Sequence, residues 1–350
     1  MPAERHDPER AIDLDLVRCT ENAALAAWKW FGKGDKNQAD LAATDAIRGM
    51  LDLVDLKGLV RIGEGRKDNA PGIFTDDRVG SWQEEAIPAA IAVDPVDGTT
   101  LTARGLSGAI SVLAASTCDS PEDDPSNLFP AITCHYMDKF AVGQKLSGDV
   151  RLSLDASVED NVAIVAKQLN KRVQDLVAVV LDRPRHEHII DALRQIGCGI
   201  RLISDGDVAA AIAPCLPNSG VDLYLGIGGS PEAVLAAAAI KCLGGQQLCR
   251  MWPKHDDERA RLLTQDGYTQ ADLDKVWTVE KMAQGEHLIF AATGISDSSM
   301  LRGIRYEGKH CITESVLMRA RNRTIRRIEA FHDVTRKTIR LASTGREASF

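Results

Sequence analysis

Aromatic residues make up only 5% of this 350-residue chain, while Ala, Leu, Ile and Val are plentiful. That balance points away from a β-sandwich and towards α/β packing. Long apolar runs are missing as well: no stretch approaches the about 20 residues that a membrane helix needs. The opening MPAERHDPER is charged and lacks the apolar segment of a signal peptide, so a cytoplasmic protein is expected. Paired cysteines are absent too. The eight cysteines (Cys19, Cys118, Cys134, Cys198, Cys215, Cys242, Cys249 and Cys311) show neither CxxC nor zinc-like spacing. They read as small buried hydrophobes carrying reduced thiols. Positive charge is in deficit, with a formal net charge of −8. Such a protein repels nucleic acid and anionic membrane at long range, so neither is an expected partner. An acidic protein that handles phosphate needs local cations, either a metal ion or an Arg/Lys cluster.

The remaining composition, 44% hydrophobic and 26% charged, is that of a globular protein, and the length suits two domains. Apolar periodicity predicts a helix over 13–31 ending at Gly32 and a second over 40–54. LVRIGEG, AIPAAIAVD, SGAISVLAAS and ITCHYMDKFAVGQ read as strands, and CDSPEDDPSNLFP as a surface loop. SGDVRLSLDASVED marks an expected boundary, giving an N-terminal α+β domain over 1–155 and a C-terminal α/β domain over 156–350. In the second, the strands VAVVLD, IRLIS, VDLYLGI and HLIFAATGI alternate with helices, which predicts a largely parallel sheet. TESVLMRARNRTIRRIEAFH reads as one or two exposed, arginine-rich strands.

Chemistry concentrates in a few strings. In IAVDPVDGTT, Pro95 stops a buried strand after Asp94 and Gly98 permits a sharp bend. A tight turn there can aim Asp94, Asp97 and the Val96 carbonyl at one point, an oxygen set for Mg²⁺ or Mn²⁺. Thr99 follows at a possible helix start, where its hydroxyl can hold a water; Asp97 or Thr99 alone would equally serve as a helix cap. RIGEGRKD sets Glu64 between glycines, where it has little helical purpose. DKNQADLAATD adds Asp35, Asp40 and Asp45, and Asp40 can also cap the helix. RPRH places Arg183, Arg185 and His186 after a strand, a cation cluster suited to phosphate. SDGDVAAAI sets Asp205 and Asp207 around Gly206. GIGGSPEAV carries Gly229 and, in a first helical turn, Glu232. Pro231 occupies the third position of a would-be GxGxxG, so that dinucleotide fingerprint fails.

With GKGDKNQAD, ATGI and RTIRRI, these strings resemble the class II fructose-1,6-bisphosphatases of the lithium-sensitive, metal-dependent sugar-phosphatase superfamily. The likeness runs through most of the chain. It is nearest to the cyanobacterial enzymes that also cleave sedoheptulose 1,7-bisphosphate. Many class II enzymes carry Glu where this chain has Asp97, one methylene shorter. The resemblance implies a two-domain layered α-β-α-β-α sandwich with the site in a cleft. It implies metal ligation by Asp40, Glu64, Asp94, Asp97 and Glu232, with Glu64 and Thr99 activating water. Substrate contacts would come from Asp97, Gly98, Thr99, Tyr136, Arg183, Pro184, Arg185, Asp205, Gly206, Asp207, Gly229 and Glu232. A homotetramer and AMP as an allosteric inhibitor are further implications. The competing readings are an inositol- or nucleotide-phosphate phosphatase of the same superfamily and, from another class, a dinucleotide-binding oxidoreductase or a catalytically silent binding module.

Overall fold

The computed structural model describes residues 8–63, 72–120, 122–146 and 151–349, without the side chains of 8–10 and 145. The chain divides into two compact units, Met1–Phe129 with Gln284–Phe350, and Pro130–Ala283. This departs from the boundary expected near 155. Strands close to the C-terminus pair into the sheet begun by the N-terminal segment, a non-local pairing that periodicity does not reveal. Both units mix helices and sheet, as α/β composition requires. Among the described residues no helix is long and apolar enough to cross a membrane.

The first unit holds an eight-stranded sheet. Its strands are β1 (Leu56–Ile62), β2 (Arg78–Val79), β3 (Ile87–Asp97), β4 (Ile110–Thr117), β11 (Leu288–Gly294), β12 (Arg305–Glu307), β13 (His310–Arg319) and β14 (Thr324–Asp333). β3 lies parallel to β1 and antiparallel to β4, and β11 bridges β4 and β13. β4 is buried along its whole length, as a central strand covered on both faces must be. Helices α1 (Pro8–Trp28) and α2 (Lys36–Leu51) supply the apolar cover through Leu16, Ala24, Leu25 and Ile47. α1 ends before Phe31, whose ring instead stacks on Trp28 at 4.2 Å. α2 begins earlier than expected because Asp35, and not Asp40, is its cap, accepting the Gln38 N–H at 3.0 Å. The hairpin of β15 (Thr338–Leu341) and β16 (Arg346–Ser349) lies over α2. There Gly49 leaves room for the Arg340 carbonyl, which an added Cβ would meet at 2.4 Å, and Asp45 accepts from Ser343 Oγ at 2.6 Å. Asp45 is thereby a structural anchor.

The second unit holds a six-stranded sheet of β5 (Tyr136–Val142), β6 (Val177–Leu181), β7 (Gly199–Ile203), β8 (Leu223–Gly229), β9 (Gln246–Met251) and β10 (Trp277–Thr278). Only β7–β6–β8 is parallel; β5 pairs antiparallel with β8 and β9, and β10 antiparallel with β9. The expected largely parallel sheet is therefore mixed. Helices α4 (Val158–Leu169) and α5 (Glu187–Gln195) pack Val162, Val165, Ile190 and Leu193 against Phe140, Val180 and Leu225. Helix α6 (Asp207–Ile212) packs on α7 (Ser230–Leu243), whose buried residues go all the way round. Short helices α8 (Asp256–Thr264), α9 (Gln270–Asp274) and α10 (Val279–Met282) complete the unit.

Candidate active site

The first unit builds the Asp94–Thr99 corner from a bulge. Asp94 pairs with Val112 and Asp97 with Ile110, so Pro95 and Val96 face a single residue, Ser111, on β4. Proline belongs at such a point, having no N–H to lose from the ladder. Val112 and Ile110, two apart, share one face, and their partners Asp94 and Asp97 share it with them. The bulge thus turns an i, i+3 pair, opposed on a regular strand, into neighbours. Asp94 Oδ1 accepts the Val96 N–H at 3.0 Å, which fixes its carboxylate over the turn. Asp97 is buried.

Gly98 then takes φ +95° and caps α3 (Thr99–Arg104). A side chain there would be strained and would crowd Leu101 and Ala109. Its carbonyl accepts from Thr102 N at 3.0 Å and Thr102 Oγ1 at 3.2 Å, so Thr99 sits half-buried in a pinned first turn. The loop before α2 is tied to this helix by Gly32 N to Thr102 O (2.9 Å) and Gly34 N to Ala103 O (2.8 Å). Asp40 lies half-buried on α2, a helix that packs on α3. β1 and β3 are parallel neighbours, so their C-terminal ends lie side by side, where α/β sheets bind ligands. β1 passes through Gly63 into residues 64–71; Glu64 lies outside the described residues.

The second unit places a charged cluster within its interior. Lys139 on β5 is buried and ion-pairs with Asp207 Oδ2; Tyr224 donates its hydroxyl to Asp207 Oδ1. Both Asp207 oxygens are thus engaged inside the unit, and burial with Asp207 alongside pushes the Tyr224 phenol up. Glu232, in the first turn of α7, has Oε2 buried without a hydrogen-bond partner. Burial raises its carboxyl above the ordinary value, opposed by Lys139 and reinforced by Asp207 and Asp205. The glycines of GIGGS answer to these side chains. A Cβ on Gly228 would lie 2.0 Å from Asp207 Oδ2 and 2.9 Å from Lys139 Nζ, and one on Gly229 would lie 1.9 Å from Glu232 Oε2. The string is glycine-rich to admit carboxylates, which is why it resembles a dinucleotide fingerprint without being one.

The RPRH segment divides its labour. Pro184–His186 forms one 3₁₀ turn. Arg183 Nη2 donates to Ser204 O at 2.5 Å, and Arg185 donates Nε and Nη2 to Ile227 O at 3.1 and 2.9 Å. Arg185 also stacks its guanidinium 5.2 Å from the Tyr136 ring, itself edge-on to Trp252. These bonds hold the two guanidinium groups at the ends of β6, β7 and β8 and use only part of their five donors. His186 is different: it is buried, with Nδ1 2.6 Å from Leu181 O and Nε2 accepting from Ile227 N at 2.7 Å. Burial lowers its pKa, so it is a neutral staple between strands and not a phosphate ligand. Asp205 and Gly206 lie just ahead of α6, Gly206 capping it at φ +86°. Lys139 and Tyr224 escaped the sequence reading. The lysine in the middle of the apolar strand YMDKFAV was the available signal, since a buried lysine demands a partner.

Among the described residues no three His, Cys, Asp or Glu side chains form a group able to hold a metal ion; Glu64 is not among them. The donor chemistry nonetheless fits a hard divalent cation. Asp94 and Asp97, within the first unit, offer carboxylate oxygens on one face.

A two-unit α/β protein with paired acids on a strand bulge, a threonine-led helix and anchored arginines has the parts of a phosphomonoester hydrolase. Comparison with known proteins agrees. Residues 10–332 match the family described as bacterial fructose-1,6-bisphosphatase, glpX-encoded. The fructose-1,6-bisphosphatase class 2 of Haemophilus influenzae is 40% identical over 332 residues, covering 92% of this chain and 96% of that protein. The fructose-1,6-bisphosphatase 1 class 2 of Escherichia coli is 38% identical over 337 residues, covering 94% and 97%. A solved structure, extragenic suppressor protein suhB from Bartonella henselae, overlaps 58% of this chain and 72% of its own at TM-score 0.30 and 17% identity, too distant to bear on the fold. The chain belongs to the glpX-encoded fructose-1,6-bisphosphatase family, and with it to the phosphoric monoester hydrolases.

Proposed function

We propose that this chain hydrolyses the 1-phosphate of fructose 1,6-bisphosphate, and that of sedoheptulose 1,7-bisphosphate at the same site. The observation that carries the reading is the β3 bulge, which sets Asp94 and Asp97 on one face directly before Thr99. Asp94, Asp97 and Glu232, with Asp40 and Glu64, would hold Mg²⁺ or Mn²⁺. Bound there, such an ion polarises the phosphoryl oxygens and lowers the pKa of a water. The remaining work falls to side chains. The Thr99 hydroxyl accepts a hydrogen bond from the attacking water and orients it in line with the scissile P–O bond, and Glu64 takes its proton; as the water oxygen bonds phosphorus, the P–O bond to the sugar breaks and the leaving sugar oxygen takes up a proton from solvent. Arg183 and Arg185 donate to the far phosphate, and Tyr136 covers the sugar. Gly229, Pro184 and Gly206 shape the backbone around them, and Asp205 accepts from a sugar hydroxyl. Asp207 serves through Lys139, holding the cluster beside Glu232 in place. The homotetramer and the inhibition by AMP implied by the sequence resemblance belong to the same proposal.

The test is phosphate release from a panel of fructose 1,6-bisphosphate, sedoheptulose 1,7-bisphosphate, inositol 1-phosphate and a nucleoside monophosphate, each with Mg²⁺ or Mn²⁺. The proposal predicts turnover of the two ketose bisphosphates at least ~100-fold above the others. Equal or preferred turnover of inositol 1-phosphate or the nucleotide would assign a different substrate class.

A further inference from the structure

β14 is the arginine-rich strand whose purpose the site leaves unexplained. It pairs with β13 over all ten residues without a bulge, and no other strand borders it among the described residues. It contains no proline and no lysine. A long, regular, open edge is one that proteins ordinarily blunt. Two of its apolar side chains are conspicuously bare, Ile325 at 45% and Phe331 at 60% exposure. Directly across the ladder from them lie Met318 and Ile312, both buried. Two apolar rows therefore run from the core to the edge of the sheet and stop there uncovered.

We propose that β14 is an interface with a second copy of this chain, pairing antiparallel with its own counterpart about a two-fold axis through Ile328. In that register Ile325 faces Phe331 of the partner subunit, and the partner's Ile325 faces Phe331. Both apolar rows then continue across the axis and are covered. Arg327 faces Glu329 of the partner subunit, twice. Thr324 faces the partner's His332, and Arg326 the partner's Ala330. The neighbouring registers fail: sliding by two residues sets Arg327 against itself in one direction and Glu329 against itself in the other, and like charges directly opposed are destabilising. A slip by one residue is excluded, because it would set each side chain against one of the opposite face. The match also relieves a strain within each chain. Glu329 already faces Glu314 across β13, compensated by Arg305 (2.9 Å) and by Arg327 reaching Glu314 (3.0 Å). The partner's Arg327 adds a further cation to that row. A self-complementary patch of this kind closes as a two-fold pair.

The test is crosslinking of the full-length chain. Under mild oxidation Ile325→Cys/Phe331→Cys should form a covalent dimer of twice the 37.9 kDa chain mass. Either single variant should not, because like positions on the two copies are about 20 Å apart at 3.3 Å per residue. The wild type, with seven of its eight cysteines buried, sets the background. A double variant that crosslinks no more than the singles overturns the proposal. Hydrogen exchange on the wild type guards against misfolded variants: outward amides of β14 should gain at least ~10-fold protection as the concentration rises through assembly. Unchanged exchange in a chain that has assembled overturns the pairing, as does a wild-type mass of one chain at every concentration.

Discussion

Replacing Lys139 by Met keeps the side chain's length and removes its charge. In the folded second unit this leaves Asp207 without its ion-pair partner and Glu232 without the cation that opposes its burial. Breaking a buried pair by removing one partner costs about 3–5 kcal/mol. For a unit of roughly 150 residues each kcal/mol moves Tm by about 2–4 °C, so a fall of about 6–20 °C is expected for that transition. The pH dependence gives a sharper signature. Glu232 is already raised above its ordinary value, 4.5, and losing Lys139 raises it further. Between that value and the folded pKa the native state binds more protons than the unfolded chain, so stability falls as pH rises. The deficit against wild type should therefore be greatest near neutrality and narrow as pH drops towards 4.5. Scanning calorimetry of both proteins in chelator, from pH 5 to 8, measures it. A deficit under about 1 kcal/mol at neutral pH, or one independent of pH, would refute the reasoning. Lys139→Met/Asp207→Asn should lose less than the sum of the two single changes, because the pair acts as a unit.

Other expectations follow from the same geometry. Glu232→Gln should stabilise the chelated protein at pH 7–8 by removing a carboxylate whose burial Lys139 only partly offsets, while abolishing any rise in Tm on adding Mg²⁺ or Mn²⁺; thermal scans with and without the ion test both halves. Gly228→Ala brings a methyl onto Asp207 Oδ2 and should cost about 1–3 kcal/mol, read as a lower denaturation midpoint. His186→Leu leaves the Leu181 carbonyl and the Ile227 N–H without partners and should cost about 1–3 kcal/mol for each, read the same way.

What could be read in the sequence was what is local. The string DPVDGTT carries its own turn chemistry, so the glycine bend and the helix start came out in order; the strand, expected to stop after Asp94, instead runs on through a bulge at Pro95 and Val96 to Asp97. The alternation of the central segment identified β6, α5, β7, α6, β8 and α7 as elements. Strand direction was another matter. β5 runs antiparallel to both of its neighbours, β8 and β9, because the chain enters it from a position no window of residues can show, and β11 leaves the second unit to complete the first. The bulge at Asp94–Asp97 needs β4 to define it. The glycines of GIGGS make sense only once Asp207 and Glu232 are known to press against them. Asp35, in place of Asp40, was a local error: both are capping residues, and only the Gln38 N–H decides between them.

The central claim is that the Asp94–Asp97 bulge holds a divalent ion for phosphoryl transfer. Metal-free protein titrated with Mn²⁺ during fructose 1,6-bisphosphate hydrolysis, wild type beside Asp94→Asn, tests it most directly. The account predicts no turnover in chelator, recovery on adding Mn²⁺, and a variant slower by about 10³-fold at saturating ion, corresponding to about 4 kcal/mol of transition-state stabilisation. Equal turnover of the two proteins at every Mn²⁺ concentration, or full activity in chelator, would contradict it.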